Sequence, residues 1–266
     1  VLQELYTYTT AATETIFVNA ALIVDEALVA AIQALENDSV LVDEANQVLA
    51  YKTANLVADL SALEALVAQG TKIAYTTAVQ ILTNPWDIFS INGANIISDF
   101  NAYTKDKTSQ PIPEYVTVIG DRTRIFIEEG AKVMPCMLNT LEGPIYIGAQ
   151  AEIMEASVVR GPFALLAGAA LKIGTKAYTN STIGKGSKVG GEISNVVFFD
   201  NSNKGHDGFL GNSVIGEWCN LGADTNSSNL KNNYSLVKVW SMKEHKMVDT
   251  HLQFCGLLMG DHSKCG

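Results

Sequence analysis

Residues 147–189 read "IGAQAEIMEASVVRGPFALLAGAALKIGTKAYTNSTIGKGSKV". Counting in sixes from Ile147 lands on Ile153, Val159, Leu165, Leu171, Ala177, Ile183 and Val189, all aliphatic and all but Ala177 at least the size of valine. A second lane, four residues along, holds Ala151, Ser157, Phe163, Ala169, Thr175, Ser181 and Ser187, which are mostly small. A period of six matches neither the 3.6 of a helix nor the 2 of a flat strand. It is the signature of a parallel β-helix, in which each hexad supplies one short strand and one turn and three hexads close a triangular rung. The large residue points inward and the small one lets the chain bend. A Gly- and Ala-rich β-sandwich would match the count only by chance.

Ile119 with Thr123 is expected to start the pattern upstream, and Ile215 with Cys219 and Leu221 with Thr225 to resume it downstream. Between them lies a polar island, "FFDNSNKGHDGFLGNS", at 198–213. From Val189 to Phe209 is twenty residues where a regular rung takes eighteen, so about two residues read as extra there.

The preceding hundred residues are organised differently. "IFVNAALIV" reads as extended, and "DEALVAAIQAL" as a helix capped by Asp25. Short extended runs follow around 40–42 and 48–51; "LSALEALVAQG" is a second helix, with Ser61 as cap and Gly70 as stop. "NPWDIFSINGANIISDFNAY" gives a turn and a third helix, and "TKDKTSQPIP" is the best linker. The expected organisation is therefore an α/β portion with linker over 1–109 and a β-helix over 110–266.

Composition narrows the function. The formal charge of -10 argues against nucleic acid and anionic membrane surfaces as partners. The four cysteines lack C-x-x-C spacing and read as reduced thiols of a cytoplasmic protein. No apolar run has membrane-spanning length. The chain starts at Val1 without methionine and stops at "GDHSKCG", so both ends are expected to be cut from something longer.

His206 is the histidine placed within the repeat, and imidazole is the side chain best matched to accepting a proton near neutral pH. On its neighbours alone it reads rather as a solvated turn residue. His245, His251 and His262 lie further on, and no histidine has metal-ligand spacing with a second histidine or a cysteine.

The string "SNKGHDGFLGNSVIGEWCNLGADTNSSN" resembles the segment carrying the catalytic histidine in the bifunctional N-acetylglucosamine-1-phosphate uridyltransferase/glucosamine-1-phosphate acetyltransferase family. "NKGH", "LG", "IG", "NLGADT" and Asn229 follow in that family's order and spacing, and "RGPFALLAGAAL" is similar to an upstream family motif. "PWDIF", "GPIYIG" and "GDHSKCG" extend the resemblance to sugar nucleotidyltransferases of this bifunctional type, from about Ile16 to the chain end.

That resemblance implies a truncated nucleotidyltransferase-like α/β portion joined to a left-handed β-helix. It also implies acetyl transfer from acetyl-CoA to an amino sugar phosphate, within UDP-N-acetylglucosamine synthesis, in a homotrimer. His206 takes the place of the general base. Asn220 and Asn229 take the places of amides that hold the sugar phosphate and reacting amine. Ala223 falls where a backbone group meets the thioester, and Phe209 replaces a substrate-contacting tyrosine. The family's phosphate-gripping cations are replaced by Leu165, Ala167 and Ser194, leaving Arg160, Lys188 or Lys204 as substitutes. Asn92 falls near a metal-binding Asn of nucleotidyltransferases, for which UTP or another nucleotide and Mg²⁺ would be required. No Gly-rich triphosphate loop precedes Gly70. Two further readings stay open: nucleotidyl transfer with the β-helix as scaffold, and a non-catalytic trimeric β-helix.

Overall fold

A computed structural model describes residues 14–266. The first thirteen residues of the expected α/β portion lie outside that range. The chain divides into two compact units, Val1–Thr83 and Asn84–Gly266.

In the first unit the strands Thr15–Val18, Val48–Thr53, Ser39–Val42 and Thr71–Ala74 form one sheet in that spatial order. The first three pair antiparallel, and the fourth joins Ser39–Val42 in parallel. Alternation along the strands divides the core between two faces. Leu41, Leu49 and Ala50 pack with Leu28 and Ile32 of helix α1, Glu26–Gln33. Val40, Val42 and Tyr51 pack with Leu63, Leu66 and Val67 of helix α2, Leu60–Gln69. Asp25 caps α1 as expected, accepting from the Leu28 N–H at 2.7 Å. At α2 the cap is Asp59, not Ser61: its carboxylate accepts from the Ala62 N–H at 2.8 Å, and a carboxylate also suits the positive end of the helix dipole. "IFVNAALIV" is two strands, broken where the Leu22 N–H donates to the Asn19 carbonyl.

The second unit is a left-handed parallel β-helix of about six turns. Wall one carries strands from Thr117–Ile119 to the first half of Phe209–Ile215; wall two carries those from Ile125–Ile127 to Leu258–Met259. Wall three is a 7-stranded sheet from Lys132–Val133 to Lys264–Cys265. Every aliphatic of the hexad lane from Ile147 to Val189 is buried, and so is every small residue of the second lane. The lane's hydroxyls are satisfied at the corners: Ser157 Oγ and Thr175 Oγ1 donate to the Lys172 carbonyl, and Ser187 Oγ donates to that of Phe199.

The repeat starts later than expected. Ile119 is 37% exposed and Thr123 lies in a one-turn 3-10 segment, because a loop separates the first strands of walls one and two; Ile125 and Ile127 face the core instead. Downstream, the chain follows the stack through the Thr225 corner to Ser227, which bridges Leu210 in parallel, then leaves it and returns at Leu258, pairing there with Val214. The excursion includes an antiparallel hairpin, Lys238–Ser241 with Lys246–Asp249.

Helix α3, Asp87–Thr104, packs on the outside of wall two, with Phe89 against Val197 and Val214. The contacts therefore divide the chain before α3, whereas the expected linker follows it. That linker meets the first rung: the Gln110 N–H donates to the Ile127 carbonyl at 2.8 Å. No helix among the described residues is long and apolar enough to cross a membrane.

Candidate functional site

The site forms at the corner between walls three and one, where rung length changes. Ala170 pairs with Lys188, eighteen residues on, but Lys188 pairs with Asn203, only fifteen on, and Asn203 with Asn220, seventeen on. The polar island therefore sits above a shortened rung: in place of the expected two-residue excess, the rung from Lys188 to Asn203 is three residues short, two of them lost at one corner. Four residues, 172–175, lie between Leu171 and Lys176, and four, 205–208, between Lys204 and Phe209. Only Gly190 and Gly191 lie between Val189 and Glu192. The strand register aligns Lys176, Glu192 and Phe209, so the corner below His206 has lost two residues.

Glycine is required in that short corner. Gly191 has φ +75°, and a Cβ there would lie 2.7 Å from the Gly208 carbonyl oxygen and 3.0 Å from Asp207 Cα. A Cβ on Gly190 would lie 2.7 Å from the Gly205 carbonyl oxygen. The lost residues leave a cleft of about 280 Å³, floored by Gly190 and Gly191. Met154, Lys172 and Ile173 line one side, and Gly205, His206 and Asp207 line the other. Strands stack about 4.8 Å apart, so one missing corner separates Ile173 from His206 by roughly two spacings, near 9.5 Å.

His206 is exposed at the lip of this cleft. One rung on, the register places Ala223 in the position His206 holds, also exposed. On wall three beside the corner, the Asn203 amide Nδ2 donates to Asn220 Oδ1 at 3.0 Å. On wall one, Asn229 Nδ2 donates to Asn212 Oδ1 at 2.7 Å. Phe209 and Asn229 meet over Gly211, where a Cβ would fall 2.5 Å from Asn229 Nδ2 and 2.7 Å from Phe209 Cζ. His206 and Ala223 thus stand at this corner with Asn220 beside it on wall three, while Phe209 begins wall one and Asn229 pairs with Asn212 at the far end of that wall.

Three expected residues do other things. Lys204 is 1% exposed and occupies the inward position of wall three, in register with Val189. Its Nζ donates to the carbonyls of Gly190, His206 and Gly208 at 3.0, 3.0 and 2.8 Å, so it does not reach out to a substrate. Burial pushes this ammonium below its usual pKa, and Asp207 and Asp224 oppose that shift. Arg160 lies in a wall-one strand three rungs before that of Phe209 and pairs with Glu142. Asn92 docks α3 on the β-helix: its Nδ2 donates to the Asn180 carbonyl at 2.8 Å and its Oδ1 accepts from Thr182 Oγ1 at 3.0 Å. Both ends of its amide are therefore engaged in docking α3. Among the described residues, no group of three or more His, Cys, Asp or Glu could hold a metal ion.

The cation that does line the cleft is Lys172, with Met154 beside it. Sequence reading passed over both, since they stand one rung or more below His206 and approach it only because the intervening corner is short. Lys188 is exposed on the outer face of wall three, in register with Asn203.

Residues 1–108 match a family model described as sugar nucleotidyl transferase. No curated protein matches the chain. The chain thus combines a nucleotidyltransferase-like N-terminal portion with a parallel β-helix.

Proposed function

We propose that this protein transfers an acetyl group from acetyl-CoA to the amine of an amino sugar phosphate of the glucosamine 1-phosphate type, within a bifunctional enzyme of UDP-N-acetylglucosamine synthesis. The observation that carries the reading is the cleft beneath His206, an imidazole at the lip of a notch with a cation, Lys172, on the opposite side. In this reading His206 takes the proton from the acceptor ammonium, and the freed amine attacks the thioester carbon. The C–N bond forms, the C–S bond breaks, and CoA leaves as the thiol once protonated. Asn220 and Asn229 orient the polyhydroxy acceptor without adding charge, and the ring of Phe209 packs on it. The corner at Ala223 presents backbone N–H groups to the thioester oxygen as charge develops there. Lys172 supplies the phosphate contact that Leu165, Ala167 and Ser194 cannot. A homotrimer, with adjacent β-helices closing the cleft, and a reducing cytoplasmic setting, in keeping with four free thiols, complete the reading.

The test follows thiol release from acetyl-CoA with glucosamine 1-phosphate, in the full protein and in His206→Ala. Loss of a general base lowers the rate by about 10²- to 10⁴-fold. No acceptor-dependent release by the wild type would sink the reading.

The match over residues 1–108 favours a second activity, nucleotidyl transfer to a sugar 1-phosphate using UTP or another nucleotide and Mg²⁺. Pyrophosphate release from UTP with N-acetylglucosamine 1-phosphate, unaffected by His206→Ala, would assign that step to the first unit. Absence of both activities would leave the β-helix as a trimeric scaffold.

A further inference from the structure

Two of the corners between walls three and one carry a hydroxyl latch that the one bearing His206 lacks. At 172–175 the hydroxyl of Thr175 donates to the Lys172 carbonyl at 2.6 Å; at 222–225 that of Thr225 donates to the Gly222 carbonyl at 2.8 Å. The equivalent position in the His206 corner is Gly208, which has no hydroxyl and has φ +119°. Beneath it, the two residues that would support a regular corner are missing. What meets this corner from the inside is Lys204. Its ammonium reaches the carbonyls of His206 and Gly208 within the corner and that of Gly190 in the floor of the cleft. The same column carries Ile153, Leu171, Val189 and Leu221 in neighbouring rungs, so packing alone would place an aliphatic residue there.

We propose that Lys204 is a positioning residue, tying the corner that carries His206 to the cleft floor and so fixing the imidazole over the notch. A carbonyl deprived of its donor inside the stack must reorient or remain unsatisfied, and either moves the peptide units on both sides of His206. The catalytic consequence rests on the acyltransferase reading; the structural one does not.

Lys204→Met and Lys204→Leu in the full protein test it. Both fit the aliphatic column, and replacing a buried charge by an apolar side chain of similar volume is often neutral or stabilising, so the melting temperature is expected to hold. Amide hydrogen exchange over 205–208 should accelerate by about tenfold or more, while 170–189 is unchanged. The kcat for acceptor-dependent CoA release should fall by about 10- to 100-fold, with the KM for acetyl-CoA unchanged. Unaltered exchange over 205–208, or a kcat equal to that of the wild type, overturns the proposal. So does failure of both variants to fold, which would make Lys204 a residue of the fold itself. If the wild type releases no CoA, the acyltransferase reading falls while the exchange comparison still decides the role of Lys204.

Discussion

Two glycines with nearly the same backbone measure how tightly the His206 corner sits on the cleft floor. Gly174 and Gly191 have φ of +72° and +75°, but a Cβ on Gly174 meets nothing within 4 Å, whereas one on Gly191 meets Gly208 O at 2.7 Å and Asp207 Cα at 3.0 Å. Alanine at either position carries the left-handed backbone penalty of about 1–2 kcal/mol. At Gly191 the overlap adds about 1–3 kcal/mol, since the obstacle is backbone and cannot swing aside. With roughly 2–4 °C per kcal/mol for a unit of this size, Gly191→Ala should melt about 2–12 °C below Gly174→Ala. Thermal unfolding followed by circular dichroism gives the comparison, and CoA release gives the second readout. Displacing His206 by about 1 Å should lower kcat by about 100-fold in Gly191→Ala, with Gly174→Ala close to the wild type. Equal melting temperatures would show that the corner does not rest on Gly191, and the account of the cleft as a missing corner would fail.

Four further outcomes are expected. Lys172→Met should raise the KM for a phosphorylated amino sugar by about tenfold while leaving that for the unphosphorylated sugar unchanged; equal effects on both would remove Lys172 from the phosphate. Burial pushes the Cys136 thiol up to about 11 and raises that of Cys255, so at pH 8 a thiol reagent should label the half-buried Cys265 first, with Cys136 reacting only as the chain unfolds. The same shift has a stability consequence: the unfolded thiol ionises first, so the contribution of Cys136 is intact below about pH 9 and is lost as pH rises towards 11, which pH-dependent melting can read. Gly93→Ala would drive a Cβ into the Asn180 side chain and should speed hydrogen exchange throughout α3 while sparing wall three; unchanged exchange in α3 would refute close docking through Gly93.

The hexad lane was legible because each rung repeats one physical demand, a large inward aliphatic and a small residue at the bend, and the seven successive rung sides obey it apart from Phe163 and Ala177. Asp25 and Gly70 were legible for similar local reasons. What escaped was register. The distance from Val189 to Phe209 spans a short corner and a regular one, so a count along the chain cannot tell an insertion from a deletion. Strand pairing can, and it reverses the sign. Lys204 was misread for a related reason: lysine beside a candidate base suggests a substrate contact, and no residue type announces that its stem follows an aliphatic column inward. Asn92 was likewise assigned from its neighbours in sequence, while its partners, Asn180 and Thr182, lie about ninety residues away.

Because each rung touches only its neighbours, omitting two corner residues opens a recess without disturbing the walls above or below. A recess made by subtraction has an address set by which rung is short, not by which residues surround it. The same omission at 172–175 would shift the recess down by one strand spacing, with different side chains at its lip and the same core behind it. In such a stack, the length of a turn is enough to decide which side chains become neighbours across open space.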